Sequence, residues 1–208
     1  MKKKVIIFVI LILIFIFLSK DTKKTKNAYL KYTPKTKKMK YKYTENFYLS
    51  KIDPVERQAF NEKLNEISKE LGIKKIDLLS IMYIESGLNP QAQNPITNAT
   101  GLIQFMPSTA KRLGTTVENL YKMNATQQLK YVKKYLLPFK DKINNVYDLY
   151  FAVFFPNAIG KPNDYVLQTQ TLPPKIIAKS NKNIDTNKDN KLTKQEVINW
   201  INKNIFVS

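Results

Sequence analysis

An all-α body, preceded by an apolar N-terminal segment and followed by a polar C-terminal loop, is the architecture that this sequence predicts. Between residues 51 and 170, apolar residues recur every three or four positions, which is the spacing of one helix face. Hardly any segment alternates apolar and polar residues in the way that a half-buried strand does. The 208 residues suffice for one compact domain with appendages.

The residue types that the chain lacks restrict its chemistry. It contains no Cys and no His, which excludes Cys/His or Ser/His/Asp nucleophilic catalysis and zinc held by those side chains. Catalysis must therefore use carboxylates, Lys, Tyr or hydroxyl groups. Any bound metal should be a hard cation with oxygen ligands.

Residues 1–19 are predicted to direct the chain to a membrane. Three lysines at residues 2–4 precede an unbroken run of Val, Ile, Phe and Leu at residues 5–18. The run is shorter than the ~20 residues of a spanning helix, and no Ala-x-Ala-like cleavage site follows it. We interpret it as an uncleaved signal-anchor, with a cleaved signal peptide as the alternative. The expected location is the cell envelope, anchored in the membrane and facing the periplasm or exterior; a secreted or virion-associated form is the alternative.

Residues 20–50 have the composition of a flexible basic linker. Lys, Thr, Tyr and Asn dominate, and residues 1–51 carry a net charge of +12 out of +19 for the whole chain. Anionic lipid or an anionic wall polymer is therefore the expected partner of this arm. Tyrosines between the lysines would also suit single-stranded nucleic acid, but a solvated linker on an anionic surface is the favoured interpretation, and nucleic acid is not an expected partner.

Six helical segments are predicted in order along the body, which we place at residues 51–170. The first begins at Asp53, with Glu56 in a capping-box-like position. The second is apolar nearly all round and should be the central buried helix, ended by Gly87. Cap and stop signals place the six segments at residues 53–72, 76–86, 108–113, 115 onward, 124–137 and 145–155.

Glu85 is notable because it is an isolated carboxylate at the end of this central helix, where it continues an apolar stripe. A helix C-terminus disfavours negative charge, and apolar surroundings keep a carboxyl protonated near neutrality. Glycoside cleavage requires a general acid of this kind. The following acids, Glu118, Asp141 and Asp148, are explained by helix starts or surface positions. A one-acid site implies that the substrate itself or a bound water performs the second role.

Two sequence motifs around this acid are more specific. IESGLNP at residues 84–90 is followed by ATGLIQFMPSTA at residues 99–110. In this order and spacing they resemble the soluble lytic transglycosylase (SLT) family of the lysozyme-like superfamily, a resemblance that covers about residues 53–165. It implies a lysozyme-like helical fold and cleavage of peptidoglycan at the β-1,4 bond between N-acetylmuramic acid (MurNAc) and N-acetylglucosamine (GlcNAc).

The resemblance also implies a mechanism. Glu85 matches the single acid/base of the family, which protonates the glycosidic oxygen and then deprotonates the muramyl 6-hydroxyl to give a 1,6-anhydro product. The 2-acetamido group of the substrate assists, and no cofactor is implied for catalysis. A hydrolytic lysozyme of the same fold and a non-catalytic peptidoglycan-binding structural module are the alternative functions.

The same resemblance implies a set of substrate-binding residues. Ser86 and Gln104 match positions that line the sugar site, with hydrogen bonds to the acetamido group or to the acid. Asn157 is either a polar residue of the cleft or a cap at a helix end. The wall of the cleft is matched by Ile103, Phe105 and Met106.

One departure concerns a Tyr that helps to position the acid in this family. The family pattern Ala-Tyr-Asn-Ala-Gly is replaced by AVFFPNAIG at residues 152–160. A phenylalanine, Phe154 or Phe155, then stands in the place of the Tyr and lacks its hydroxyl. Three nearby tyrosines are alternatives for supplying that hydroxyl: Tyr83, Tyr147 and Tyr150.

An EF-hand-like pattern occupies the tail, residues 171–208. Oxygen ligands at alternate positions before a helix predict a Ca²⁺ site in a single degenerate EF-hand, with Asn190 in place of the usual Gly. Lys188 and Lys191 oppose the cation, and a stabilising role is expected. An Asn/Lys-rich turn that caps the last helix is the alternative. The predicted ligands are Asp185, Asn187, Asp189, Lys191 through its carbonyl, Thr193 and Glu196.

Overall fold

The computed structural model describes residues 39–207. In this range the chain forms nine α-helices, and β-structure is limited to isolated bridges. The prediction of an all-α body is therefore confirmed. The helices are α1 Glu45–Leu49, α2 Arg57–Leu71, α3 Lys75–Ser86, α4 Pro107–Arg112, α5 Val117–Tyr121, α6 Ala125–Leu136, α7 Val146–Phe154, α8 Pro174–Ser180 and α9 Lys194–Ile205.

The membrane segment predicted at residues 1–19 lies outside the described residues, and no helix between residues 39 and 207 has the length and apolar character needed to cross a membrane.

Helix α3 is the centre of the body, as its apolar sequence predicts. Residues 77–82 are all buried, and the helix packs against α1, α2 and α7. Gly87 ends the helix with a φ of +66°, a left-handed conformation that glycine adopts without steric cost. The position of Glu85 in the last turn is therefore fixed by the core on one side and by this turn on the other.

Helix α2 begins three residues later than the sequence predicts, because its N-cap is Glu56 and not Asp53. Residues 53–56 form a turn, and the helix begins at Arg57. The Glu56 side chain makes no capping hydrogen bond to α2. Its carboxylate instead accepts hydrogen bonds from the backbone N–H groups of Ala125 and Thr126, at 3.1 and 2.8 Å. Glu56 thus stabilises the N-terminus of α6, 69 residues further along the chain, where the helix dipole favours a negative charge.

Helices α6 and α7 begin where local capping signals in the sequence predict. Asn124 and Gln127 form a capping box, in which each side chain accepts from the backbone N–H of the other residue. The Asn145 side chain accepts from the backbone N–H groups of Tyr147 and Asp148 at the start of α7. Because α6 packs on α2 and α7 packs on α3, these local caps also set where the two helices meet the core.

The described part of the predicted linker belongs to the body. We expected a flexible segment through residue 50, but residues 45–49 form α1, and Tyr48 is only 1% exposed. The reason is an aromatic cluster: the ring of Tyr48 lies 5.9 Å from that of Tyr43, 5.7 Å from that of Phe47 and 5.4 Å from that of Tyr83. Burial of these rings attaches residues 43–48 to α3. Residues 20–38 lie outside the described residues.

The C-terminal tail packs on the same body. The carbonyl of Ile205 accepts a hydrogen bond from the backbone N–H of Lys42 at 2.7 Å, and the N–H of Val207 donates to the carbonyl of Lys40 at 2.9 Å. The two ends of the described chain are therefore paired. The face that α9 buries consists of Val197, Ile201 and Ile205.

Candidate active site

Glu85 lies in the last turn of α3 with its side chain half-buried, so it borders both the core and the surface. Burial raises the pKa of its carboxyl from 4.5 to about 7. The cause is loss of hydration, which penalises the charged form. A carboxyl with this pKa is about half protonated at pH 7, which suits a group that must donate a proton to a leaving oxygen.

Tyr135 of α6 and Tyr150 of α7 lie close enough to Glu85 for its charge to raise the pKa of both hydroxyls. Burial raises the pKa of Tyr135 to about 12; Arg112 opposes this shift and the charge of Glu85 adds to it. Burial, followed by the charge of Glu85, also raises the pKa of Tyr150 well above its ordinary value. The Tyr135 hydroxyl donates to the carbonyl of Ala152 at 2.9 Å and so ties α6 to α7 beside the acid.

This arrangement distinguishes the three tyrosines that the sequence left as alternatives. Tyr83 lies in the aromatic cluster with Tyr43, Phe47 and Tyr48. The Tyr147 hydroxyl donates to Asn202 Oδ1 at 2.5 Å, on α9. The charge of Glu85 helps to raise the pKa of Tyr150, which makes Tyr150 the alternative that the structure favours. Sequence reasoning missed Tyr135, whose sole local signal is its place on the buried side of α6.

The segment after α3 folds into a tight turn that faces the end of that helix. Thr100 and Phe105 exchange both backbone hydrogen bonds, at 3.0 and 2.9 Å, and enclose residues 101–104. Gly101 has a φ of +85°, and a Cβ there would lie 2.3 Å from Oε1 of Gln128. Both the backbone conformation and the close approach therefore require glycine in this turn.

Gln128 organises this turn from the buried side of α6, and the sequence analysis did not identify it. It is fully buried at 0% exposure. Its Oε1 accepts from the backbone N–H of Leu102 at 2.9 Å, and its Nε2 donates to the carbonyls of Pro90 and Leu120 at 2.7 and 2.8 Å. One buried amide thus satisfies three backbone groups of separate segments. A Gln at a core position of an amphipathic helix was the available signal.

Ser86 and Gln104 use their donors within the protein. The Ser86 hydroxyl is shared between the carbonyls of Met82 at 2.9 Å and Leu102 at 3.0 Å, which joins the end of α3 to the turn. The Gln104 amide donates to the carbonyls of Ala92 at 3.2 Å and Gly101 at 3.1 Å. These bonds support the left-handed backbone of Gln104, whose φ is +52°. Direct contact of these two side chains with a sugar stays a prediction.

The residues predicted to form the cleft wall differ in exposure. Ile103 and Phe105 are buried in the hydrophobic core, at 4% and 2% exposure, and the Phe105 ring meets that of Tyr135 edge-on at 6.4 Å. Both are therefore core residues, and Phe105 supports the ring of Tyr135. Met106 is half-buried just before α4 and offers surface to a ligand. Asn157 is also half-buried, in the 3₁₀ turn Pro156–Ala158 after α7.

The residues predicted to bind Ca²⁺ lie apart from this site, between α8 and α9. Asp185 is buried, whereas Asn187, Asp189 and Lys191 are exposed. Thr193 and Glu196 form the capping box of α9. In the part of the chain that the structure describes, no three acidic side chains come close enough together to form a metal cluster.

Residues 62–170, just over half of the chain, match the transglycosylase SLT domain. The chain belongs to the SLT transglycosylase family. The matched range contains Glu85, the turn at residues 100–105 and both tyrosines near the acid. It ends before the EF-hand-like pattern. No curated protein matches the chain.

Membership in this family confirms the resemblance on which the sequence analysis relied. At the family level, the SLT domain has a peptidoglycan-acting function of the lytic transglycosylase type. In this SLT domain the acidic residue of the first motif lies in the last turn of α3 and has a raised pKa. The second motif forms the turn that Gln128 holds.

Proposed function

We propose that the chain cleaves the glycan strands of peptidoglycan between MurNAc and GlcNAc and leaves a 1,6-anhydro-MurNAc end. The observation that carries the proposal is the isolated Glu85 carboxyl, whose pKa burial raises to about 7. A hydrolytic site of two carboxylates would place a second one within about 5–9.5 Å. The nearest acid on α3, Asp77, lies eight residues earlier, about 12 Å along the axis, and accepts a hydrogen bond from Tyr41.

In this reaction Glu85 acts first as an acid and then as a base. Its proton passes to the glycosidic oxygen while the bond from that oxygen to the muramyl C1 breaks. The 2-acetamido group of the substrate stabilises the cationic centre. The muramyl 6-hydroxyl oxygen then bonds to C1 and returns its proton to Glu85, so that no water is consumed and the enzyme recovers its starting state.

The environment of Glu85 supports both steps. A half-buried carboxyl loses hydration and keeps its proton near neutrality. The phenols of Tyr135 and Tyr150 remain protonated over this pH range, since burial raises the pKa of each. They therefore lie near the acid without competing for its proton.

The substitution Glu85→Gln tests the proposal because it keeps the shape of the side chain and removes its acid/base function. We expect the release of muropeptides from purified peptidoglycan to fall at least about 100-fold. Glu62→Gln, an exposed acid on α2, is the matched control and should release them at the wild-type rate. Unchanged release by Glu85→Gln would remove Glu85 from the mechanism.

Mass spectrometry of the wild-type products separates the alternatives. Anhydro-muramyl ends support the transglycosylase, and reducing ends assign the chain to hydrolytic lysozymes. Binding to peptidoglycan without turnover by the wild-type protein would instead favour a non-catalytic structural module.

We also propose that residues 1–19 hold the enzyme at the membrane of the cell envelope, with the basic residues that follow lying on anionic lipid or wall polymer. The support is the charge and apolar pattern of the sequence. Fractionation of cells that produce the full chain or a form lacking residues 1–19 tests it. Recovery of both forms in the soluble fraction would contradict the anchor.

A further inference from the structure

The loop between α8 and α9, together with the first turn of α9, contains two buried carboxylate oxygens that have no hydrogen-bond partner among the described residues: Oδ1 of Asp185 and Oε1 of Glu196. Asp185 as a whole is only 9% exposed. Neither acid belongs to the ion pairs found between residues 39 and 207, which are Lys63–Glu66, Lys75–Glu45 and Lys133–Glu70. Since a buried anionic oxygen is costly unless a cation or a donor satisfies it, these two oxygens point to a positively charged ligand.

The two acids stand at the first and last positions of the twelve-residue oxygen pattern. At the third and fifth positions, Asn187 Oδ1 accepts from the N–H of Asp189 at 3.0 Å, and Asp189 Oδ1 accepts from the N–H of Lys191 at 2.8 Å. Each bond uses one acceptor site of an oxygen that has two. Asn187 therefore keeps acceptor capacity, and Asp189 keeps its second carboxylate oxygen.

The backbone of the loop bends at the positions where a cation-binding loop needs to bend. Lys188 and Asn190 have φ values of 58° and 63°, and Asn190 occupies the sixth position, where EF-hand loops carry Gly for a sharp turn. Leu192, next to the seventh position, is fully buried, and its carbonyl accepts from the N–H of Leu167 at 2.7 Å. The loop is thus held against the SLT domain on one side and exposed on the other.

The carboxylates of the loop do not converge into a three-acid cluster, and the capping box of α9 explains part of this. Glu196 Oε2 accepts from the N–H and the hydroxyl of Thr193, at 2.9 and 2.8 Å. This leaves Oε1 as the oxygen of Glu196 that a cation can use. A bound cation would therefore be held by a mixed set of carboxylate, amide and backbone carbonyl oxygens.

We propose that residues 185–196 bind one Ca²⁺ and that the ion fixes the start of α9 against the SLT domain. A mixed oxygen set on a partly exposed loop suits Ca²⁺, which takes six to eight oxygen ligands in adaptable geometry, better than Mg²⁺, which needs a near-ideal octahedron. The exposed Lys188 and Lys191 weaken binding by repulsion. The affinity should then lie near that of extracellular calcium modules, with a dissociation constant of roughly 10⁻⁴–10⁻³ M.

Helix α9 connects this loop to the surroundings of Glu85. Trp200 lies with its ring 5.5 Å from that of Tyr150, one of the two tyrosines near the acid. Asn202, further along α9, accepts the hydrogen bond from Tyr147. A cation that orders the start of α9 would therefore also order the far side of Tyr150.

Trp200 is the only Trp of the chain and thus a built-in reporter for this helix. The test is a titration of the full chain with CaCl₂ up to about 10 mM, followed by Trp200 fluorescence and by thermal unfolding. We expect a saturable change in emission and a rise in melting temperature of about 3–5 °C. Both readouts are made without peptidoglycan, so their outcome does not depend on the proposed enzymatic activity.

The variant Glu196→Gln should abolish both responses. Its helix cap should survive, because α6 already uses a Gln at the same place of its capping box. Asp185→Asn is a second, independent variant with the same expected loss, and it carries the test if Glu196→Gln does not fold. Asp164→Asn changes an exposed acid outside the loop and should respond like the wild type.

Three outcomes would overturn the inference. The first is a wild-type protein that shows no saturable change in either readout. The second is a wild-type response in both Glu196→Gln and Asp185→Asn. The third, an equal response to the same concentration of MgCl₂, would overturn the choice of Ca²⁺.

Discussion

Replacing Glu85 by Gln should stabilise the protein, and the gain should grow with pH. Burial raises the pKa of this carboxyl from 4.5 to about 7. Between these two values the unfolded chain ionises while the folded chain keeps its proton, so the carboxyl makes the folded state progressively less stable as the pH rises. At 1.36 kcal/mol per pKa unit, the penalty is about 1 kcal/mol at pH 5 and about 3 kcal/mol at pH 8. A neutral amide of the same shape removes it.

Urea unfolding of the wild type and of Glu85→Gln at pH 5 and pH 8 measures this difference. The stability gain of the variant should be larger at pH 8 by about 2 kcal/mol, and the urea dependence should be unchanged. Glu62→Gln, which alters an exposed carboxyl, should show no such pH-dependent gain. A gain of equal size at the two pH values would refute the reasoning, because it would mean that Glu85 ionises alike in the folded and unfolded chains.

Three further predictions concern the pH profile, the turn and the α6 cap. The proposed cleavage requires protonated Glu85, so kcat/KM should fall about tenfold per pH unit above about 7; a rate that stays level to pH 9 would exclude it as the acid. Gly101→Ala should destabilise the fold by about 2 kcal/mol or more, because its Cβ would meet Gln128. Gly114→Ala, with a φ of +81° but open space, should cost only about 1 kcal/mol, and equal losses in urea unfolding would contradict the close approach. Glu56→Gln should cost about 1 kcal/mol by weakening the cap of α6; unchanged urea stability would argue against that contact.

The parts of the fold that were predictable from sequence depend on neighbouring residues. Asn124 and Asn145 bond to backbone groups two or three positions ahead, and Gly87 ends α3 through its own backbone conformation. The apolar composition of α3 likewise predicts its burial and the raised pKa of Glu85. Each of these signals lies within one turn of the structure that it determines, which is why the sequence shows it.

The parts that were missed depend on contacts between distant segments. Glu56 reads as a local cap of α2, but its partners lie 69 and 70 residues away. In the sequence Gln128 looks like an ordinary polar residue. Its role follows from the fold, which brings Leu102 and Pro90 within hydrogen-bonding distance of its side chain. Tyr135 comes near the acid only through the fold, in which its hydroxyl bonds to the carbonyl of Ala152 on α7. Local pattern carries no information on such pairings.

The pairing of the two described chain ends limits how far the SLT domain could reach from the proposed membrane anchor. Tyr41 donates to Asp77 of α3 and lies with its ring 5.1 Å from that of Phe206, so residue 41 is held by both the first and the last parts of the body. Residues 40–50 belong to the body, so a tether that begins at residue 20 can include at most the residues before 40. Its greatest span is about 65 Å, where the longer segment would have allowed about 105 Å. If residues 1–19 anchor the chain as proposed, Glu85 can reach only a limited set of glycan strands. These strands lie no further from the bilayer than the shorter tether length plus the size of the body itself.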